Sequence, residues 1–228
     1  MKLLVVDLGM VDYMEAFDLQ KQLLSLRQED RIGALLLLLE HPPVLTLGRS
    51  ASRENLVISQ KELEARGANI YNVNRGGDIT YHGPGQLVGY PIIKLSSLGR
   101  DIRTFVSNLE QVFINLLWEE YGITASRDQG HTGVWIGDDK ITAIGLAVKR
   151  WVTMHGFAFN VSTDLSHFDW IVPCGIRDKG VSSLELLLNK TPDMDEVKRQ
   201  VAKYFAKVYS FKIVKEDKNR FLKGIKEG

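Results

Sequence analysis

Segments rich in Val, Ile and aromatic residues, a composition typical of β-strands, lie close together along this sequence. They are residues 44–47, 70–73, 88–93, 133–137, 141–148 and 152–160. Strict alternation of strands and helices would predict a doubly wound parallel sheet, whereas clustered strands favour a mixed sheet with helices on its faces. We therefore predict an α/β chain of the α+β type, with a mixed β-sheet flanked by helices.

Three helices are predicted from their capping residues and their apolar periodicity. The first begins at Asp12 and the second at Asp101, because Asp is a favoured N-cap. The third begins around Pro192, which is tolerated in a first helical turn. The stretch from Phe211 to Gly228 is rich in Lys, and we interpret it as a solvated tail or a small C-terminal appendage. The whole chain, residues 1–228, is predicted to be a single domain.

The bulk composition, 44% hydrophobic and 25% charged residues, is typical of a soluble globular protein. A net charge of +1 argues against a nucleic-acid partner. The longest apolar run, residues 34–39, is far shorter than the roughly 20 residues that span a bilayer, and it predicts a strand buried on both faces. Asp7 interrupts the short N-terminal apolar run, so no signal peptide is predicted. We expect a cytoplasmic monomer that binds no membrane.

The one cysteine of the sequence, Cys174, lies between Pro173 and Gly175 and excludes an intrachain disulfide. A thiolate is a strong nucleophile near neutral pH when a neighbour lowers the pKa of the thiol from about 8.5. A lone cysteine is more often a buried and unreactive residue. Both interpretations remain open on this feature alone.

A glycine-rich segment, Arg75-Gly-Gly-Asp-Ile-Thr-Tyr-His-Gly-Pro-Gly-Gln86, follows one predicted strand and precedes another. Its glycines indicate unusual backbone dihedrals or a close approach to another group. It matches neither a P-loop nor a dinucleotide fingerprint. It is either a pair of tight turns or a substrate-lining loop with Arg75 and His82 as polar anchors. Its concentration of Arg, His and Thr favours the second interpretation.

Lys140 stands at a predicted turn before a long apolar strand, where a lysine is usually solvated. If it points toward Cys174 instead, its ammonium would lower the pKa of the thiol, or a neutral amine would act as a base. His155 is interpreted as a base for the thiol or, more simply, as a packed, hydrogen-bonded residue. The histidines show no metal-ligand spacing with one another or with Cys174, so no metal site is expected.

Four motifs together resemble those of the lipoyl(octanoyl) transferase family in order and spacing. They are the glycine-rich segment from Arg75 to Gln86, Lys140-Ile-Thr-Ala-Ile-Gly145, His155-Gly-Phe-Ala-Phe-Asn160 and Pro173-Cys-Gly175. The resemblance extends from about Leu45 to about Leu186 and includes Gly48-Arg49 and Asn55-Leu56. Asn74 departs from it, because many relatives have an acidic residue there.

The resemblance implies a fold similar to the catalytic domain of biotin and lipoate protein ligases. It implies transfer of an octanoyl or lipoyl group from acyl carrier protein to a lysine of a lipoyl domain. The acceptors would be 2-oxoacid dehydrogenases or the glycine cleavage H protein. Cys174 would carry the acyl group as a thioester, Lys140 would lower the pKa of Cys174, and no cofactor is expected.

The resemblance also implies which residues form the acyl pocket and which support it. The implied pocket residues are Arg75, Gly76, Gly77, Asp78, Ile79, Thr80, Tyr81, His82, Ala143, Ile144, Gly145, Gly156, Phe157 and Ala158, supported by His155, Gly85 and Gln86. We further expect Phe159 to add apolar wall. The backbone amides of the Gly76–Gly77 turn and near Cys174 are candidates for holding an oxyanion.

Two alternatives are weighed against this function. An ATP-dependent lipoate or biotin ligase on the same fold would need no thiol, so the motif around Cys174 disfavours it. A catalytically silent module that binds acyl carrier protein is disfavoured because both Lys140 and Cys174 are in their motifs. Lys149, Arg150 and Lys179 are candidate docking residues for acidic partner domains.

Overall fold

A computed structural model describes residues 1–172 and 179–227 of the protein. The strands are β1 (Lys2–Met10), β2 (Ala34–Glu40), β3 (Val44–Leu47), β4 (Asn69–Asn72), β5 (Ile79–His82), β6 (Gln86–Ile92), β7 (Gly133–Ile136), β8 (Asp139–Lys149), β9 (Val152–Asn160), β10 (Gly180–Val181) and β11 (Lys212–Lys215). The α-helices are α1 (Tyr13–Gln28), α2 (Gln60–Ala65), α3 (Ile102–Tyr121), α4 (Leu184–Leu188), α5 (Met194–Val208) and α6 (Lys218–Glu227).

The main sheet is mixed, as the clustered strands predict. Its order is β10-β8-β9-β6-β2-β1-β11, and β7 also pairs with β8. The pairs of β2, β6, β9 and β8 in the middle are antiparallel, whereas β1 pairs in parallel with both β2 and β11. The predicted fold class is therefore confirmed.

Alternation along β2 explains how helices cover both faces of this sheet. Leu36 and Leu38 pack in one core cluster with α3 and α5, while Leu35 and Leu37 pack in a second cluster with α1. Successive strand side chains point to opposite faces, so a strand of leucines is buried only if both faces are covered. The prediction that residues 34–39 form a strand buried on both faces is confirmed.

A smaller sheet in the order β4-β3-β5 carries its own core. Leu45, Leu63 and Tyr81 pack there with Phe168 and Trp170 of a 3₁₀ turn. This arrangement differs from the sequence expectation in one respect that bears on the site. The glycine-rich segment was expected to be a loop, but its middle forms strand β5, which pairs antiparallel with β3.

The helix starts agree with the capping residues at two positions and differ at the third. The carboxylates of Asp12 and Asp101 accept backbone N–H groups in the first turns of α1 and α3. In α5 the N-cap is Asp193, so Pro192 precedes the helix and does not lie in its first turn.

The C-terminal stretch is not a solvated tail. Its residues 212–215 form strand β11 at the edge of the main sheet, and Phe221 of α6 is buried in the cluster below α1. The apolar side chains of this stretch recur at helical spacing between lysines, so they can pack against the domain. The alkyl stems of the lysines cover apolar surface while their ammonium groups reach water. None of the described helices is both long and apolar enough to cross a membrane.

Candidate active site

A cavity of about 540 Å³ is lined by both sheets. Strands β6, β8 and β9 of the main sheet contribute one part of its wall, and the segment from Arg75 to His82 contributes another. Small residues face it where β8 and β9 pair, with Ala143 opposite Ala158 and Gly145 opposite Gly156. The small side chains leave room for a slender apolar ligand between these strands.

Arg75 fixes the turn that precedes β5. Its buried guanidinium donates to the carbonyl oxygen of Thr46 at 2.6 Å and to the Thr46 hydroxyl at 2.9 Å. It also donates to the carbonyl oxygen of Gly76 at 3.0 Å. The planar guanidinium has several donors in a rigid geometry, which a lysine at this position would lack. Arg75 therefore holds the cavity wall to strand β3.

Asp78 anchors a neighbouring loop to the same turn. Its carboxylate accepts the side-chain amide of Asn55 at 2.5 Å and the backbone N–H of Ser52 at 3.2 Å. The carbonyl oxygen of Asn55 in turn accepts the N–H of Val172 at 2.7 Å. Val172 is the last described residue before Cys174, so this chain of contacts joins the glycine-rich segment to the approach to the cysteine.

His82, Gln86 and Asn160 form a buried hydrogen-bond chain along the cavity wall. His82 Nδ1 lies 2.8 Å from Gln86 Oε1, and Gln86 Nε2 donates to Asn160 Oδ1 at 2.9 Å. Asn160 Nδ2 donates to the carbonyl oxygen of Ser182 at 3.0 Å. Because an amide oxygen only accepts, His82 Nδ1 carries the proton. Burial lowers the pKa of His82 to about 3, so the ring is neutral near pH 7.

His155 lines the cavity but is held as a structural residue. Its Nε2 lies 2.8 Å from Asn74 Oδ1, and its ring stacks on Phe17 with 5.5 Å between the centroids. Burial lowers its pKa to about 3. Its backbone has a positive φ of 56°, and its N–H donates to Gln20 Oε1 at 2.7 Å. These contacts agree with the packed, hydrogen-bonded interpretation.

Lys140 lines the cavity from the start of β8 and does not stand free at a turn. It lies directly opposite Trp135 in the antiparallel pair of β7 and β8. Its Nζ is 4.7 Å from the centroid of the Trp135 ring. The carbonyl oxygen of Lys140 also accepts the N–H of Ser182 at 3.0 Å.

The cavity wall contains most of the expected pocket residues. Those that line it are Arg75, Gly76, Gly77, Asp78, Ile79, Thr80, His82, Ala143, Ile144, Gly145, Gly156, Phe157 and Ala158, together with Gln86 and His155. Gly85 is not in the wall; its N–H donates to Glu40 Oε2 at 2.8 Å and its carbonyl accepts the hydroxyl of Thr163.

Tyr81 is a correction to the expected pocket. It lies in the core of the small sheet, where its hydroxyl is 2.7 Å from His167 Nδ1. The reason is the strand that the sequence did not predict: alternation along β5 separates Tyr81 from Thr80 and His82. Phe159 is also outside the wall and packs against Phe113, with 5.2 Å between the ring centroids.

The geometry bears on two further expectations. The N–H of Gly76 donates to the carbonyl oxygen of Leu146 at 2.8 Å, so it is already committed and is no oxyanion donor. Lys179 lines the cavity but its ammonium is paired with Asp128 at 2.5 Å and Asp138 at 3.5 Å. Neither Lys149 nor Arg150 is in the cavity wall.

Several wall residues were not identified from the sequence. They are chiefly aromatic or apolar side chains from separate elements: Tyr13, Val88, Tyr90, Ile102, Val106 and Trp135. The Asp12 cap gave a usable signal, since it places Tyr13 at the first position of α1. Burial raises the pKa of Tyr13 to about 12, so its hydroxyl is neutral in the cavity. Cys174 lies outside the described residues.

The described residues contain no group of three or more His, Cys, Asp or Glu side chains arranged to hold a metal ion. The mixed sheet that joins a smaller sheet around one cavity has the fold of solved lipoate and biotin protein ligases. A putative lipoate protein ligase from T. acidophilum has the same fold, with a TM-score of 0.75 at 15% identity over 99% of this chain and 92% of that one. The biotin protein ligase of Aquifex aeolicus follows at a TM-score of 0.52 and 13% identity, covering 92% and 69%.

Sequence relatives are much closer. Residues 12–206 match the lipoyl protein ligase A/B catalytic domain. An octanoyltransferase of Caldicellulosiruptor saccharolyticus is 55% identical over 98% of this chain and 97% of its own. One from Desulforamulus reducens is 54% identical over 92% of each. The chain belongs to the octanoyltransferase branch of the lipoyl protein ligase A/B catalytic domain family.

Proposed function

We propose that this protein transfers an octanoyl or lipoyl group from acyl carrier protein to a lysine of a lipoyl domain, through a thioester on Cys174. The observation that carries the proposal is the cavity, in which Lys140 shares a wall with the small residues of β8 and β9. The relatives are named octanoyltransferases, which indicates the acyl group, and the cavity offers space for its chain.

The reaction balances as two acyl exchanges. The Cys174 thiolate attacks the carbonyl carbon of the donor thioester, the bond to the phosphopantetheine sulfur breaks, and that sulfur leaves as a thiol after taking a proton. The lysine amine of the acceptor then attacks the new thioester, the amide bond forms as the bond from the acyl carbon to the Cys174 sulfur breaks, and Cys174 is released as a thiolate. Exchange between thioester and thiol is nearly balanced, so the first step needs no ATP.

Lys140 is the proposed partner of Cys174. A nearby ammonium favours the thiolate over the thiol, because opposite charges attract strongly in a partly dry site. In the first step the Lys140 ammonium gives its proton to the leaving phosphopantetheine sulfur, and in the second step the neutral amine takes a proton from the incoming lysine amine. The described residues on either side of the cysteine support this placement: Val172 is bonded to Asn55, and Lys179 lines the cavity.

The acyl chain is proposed to lie in the cavity along the paired strands β8 and β9, with the Arg75 turn closing one side. Gly145 supports this arrangement, since a Cβ there would come within 2.9 Å of the Gly76 carbonyl oxygen. The turn and strand β8 are therefore in direct contact at Gly145, and this contact bounds the cavity. The small residues of β8 and β9 leave room beside it for an unbranched chain.

The acceptors proposed are lipoyl domains of 2-oxoacid dehydrogenases and the glycine cleavage H protein, and a monomer suffices for the chemistry. The ATP-dependent ligase remains the alternative function. The solved ligases share the fold at only 13–16% identity. Such a similarity gives no reason to assign their reaction to this protein.

The test is intact-mass spectrometry after incubation with octanoyl-acyl carrier protein without ATP, with Cys174→Ser in parallel. We expect one octanoyl adduct on the wild type, removed by hydroxylamine or by a lipoyl domain, and none on the variant. If neither protein gains mass, the thioester mechanism is wrong and the ATP-dependent ligase becomes the favoured function. An adduct on Cys174→Ala, which leaves no nucleophile at that position, would place the acyl group on another residue.

A further inference from the structure

A β-bulge brings Lys140 to its place in the cavity. Along the pair of β7 and β8, Val134 lies opposite Thr142, but the next residue, Trp135, lies opposite Lys140, so Ile141 is skipped. Residues directly opposite each other in an antiparallel pair project to the same face. Bulges of this kind redirect a side chain beside a functional site. Here the bulge makes Trp135 the direct neighbour of Lys140.

Gly133 completes the seat for the lysine side chain. A Cβ at Gly133 would lie 3.3 Å from Lys140 Cε and 3.4 Å from Cδ, so the alkyl stem of the lysine passes over this glycine. The backbone of Gly133 has a φ of 140°, and the same Cβ would come within 2.6 Å of the Thr142 carbonyl oxygen. A glycine is therefore required where the stem crosses β7.

The indole of Trp135 is itself rigidly held. Only 2% of the residue is exposed, and Nε1 donates to the carbonyl oxygen of His131 at 3.1 Å. With the indole N–H bonded in this way, the ring lies 4.7 Å from the ammonium of Lys140. An aromatic face attracts a cation but adds no negative charge that would neutralise it.

A second ammonium shares this ring. Lys179 Nζ also lies 4.7 Å from the Trp135 centroid, and it is paired with Asp128 at 2.5 Å. Asp128 additionally accepts from His131 Nδ1 at 2.9 Å. Among the described residues, the titratable groups around the ring are Lys140, Lys179, Asp128, Asp138 and His131, and the carboxylates of Asp128 and Asp138 compensate the charge of Lys179. Glu110 accepts the N–H of Gly133 at 3.0 Å, and its carboxylate is paired with Arg127.

We infer that Trp135 is a positioning residue for the reaction, and that its aromatic face, with the Gly133 track, holds the Lys140 ammonium where it stabilises the thiolate. This inference rests on the proposed function, in which Lys140 assists Cys174. The indole acts through Lys140 and needs no contact with the acyl group for this role.

The experiment exploits the single cysteine, because alkylation by iodoacetamide at a series of pH values then reports the thiolate of Cys174 alone. In Trp135→Leu we expect the midpoint of the pH–rate curve to rise by about one unit, since a cation–π contact is worth roughly a tenfold change in equilibrium. The kcat for octanoyl transfer should fall about tenfold with little change in KM. In Trp135→Phe both the alkylation midpoint and the kcat should stay close to the wild-type values.

Controls separate this role from a purely structural one. Trp118→Leu removes an indole from the exposed face of α3, where 61% of the residue is accessible, and should change neither readout. Equal effects of Leu and Phe at position 135, with a matching rise in KM, would overturn the inference and assign Trp135 to packing.

Lys140→Met distinguishes failure of the inference from failure of the proposed function. If Lys140→Met raises the alkylation midpoint and Trp135→Leu does not, the role of Trp135 is wrong and the Cys174–Lys140 pair stands. If Lys140→Met leaves the midpoint unchanged, the pairing itself is wrong, and the role of Trp135 falls with it.

Discussion

His41 accepts a hydrogen bond from the hydroxyl of Tyr90, with 2.7 Å between Nε2 and the phenol oxygen, and both side chains are buried. The other ring nitrogen, Nδ1, lies 2.7 Å from the carbonyl oxygen of Val11. Because a carbonyl only accepts, Nδ1 carries the proton and Nε2 is the acceptor. The contact therefore requires a neutral His41, and burial lowers its pKa to about 4.

The stability of the protein should fall steeply in mild acid. Burial lowers the pKa of His41 to about 4 and those of His82 and His155 to about 3, from 6.5 in the unfolded chain. Below about pH 6.5 the unfolded chain takes up protons that the folded protein does not, so stability is lost as pH falls through that window. Each histidine contributes about 1.4 kcal/mol per pH unit.

Urea unfolding between about pH 7.5 and 5 measures this slope. His41→Gln should remove about a third of it. A pH-independent urea midpoint in the wild type would contradict the burial of these three rings.

Gly48→Ala should disturb the Arg75 turn. A Cβ at Gly48 would lie 2.2 Å from the carbonyl oxygen of Gly77 and 2.8 Å from Arg75 Nη1. The turn must move to make room, so we expect a loss of about 1–3 kcal/mol in the free energy of unfolding and a raised KM for the acyl donor. Gly33→Ala is the matched control, because a Cβ there meets no atom within 4 Å. Equal stability of the two variants would show that the Arg75 turn can move aside without a measurable loss in the free energy of unfolding.

Asn160→Leu should destabilise the protein by about 2–4 kcal/mol. The change removes the acceptor of Gln86 Nε2 and the donor to the Ser182 carbonyl, both in the interior. Urea unfolding of Asn160→Leu, Gln86→Leu and the double variant measures the coupling between the two amides. The double variant should lose less than the sum of the single losses; strict additivity would mean that the two side chains act independently.

Phe221→Ala should cost about 3 kcal/mol, because its buried ring fills space between α6 and the cluster beneath α1. Val214→Ala, on strand β11 where 37% of the residue is exposed, should cost well under half as much. Unfolding followed by both circular dichroism and tryptophan fluorescence tests whether α6 belongs to the domain. Two separate transitions would make it an independent appendage.

Features that depend on neighbouring residues could be predicted from the sequence. The Asp12 and Asp101 caps and the all-leucine core of β2 follow from local rules, and the structure has them. The part of the cavity wall that lies within the family motifs followed for the same reason, because each motif occupies one turn or strand and carries its wall residues in a short stretch.

Features that depend on distant or irregular strand pairing could not be predicted from the sequence. Tyr81 was misplaced because the strand around it exists only through pairing with β3. The bulge that sets Trp135 opposite Lys140 skips Ile141, an ordinary strand residue with no local signal. Strand β11 has the composition of a lysine-rich tail, and it is a strand only because it pairs with the distant β1.

The pairing of β1 with β11 joins residues that are far apart in the sequence and are therefore synthesised far apart in time, since Leu3 lies beside Ile213 and Val5 beside Lys215. An unpaired strand edge is a template for wrong partners. At about 5–20 residues per second, the ribosome needs on the order of tens of seconds to produce the partner of β1. Throughout that interval the nascent chain displays an open edge, so the order of synthesis exposes this protein to misassembly at its first strand.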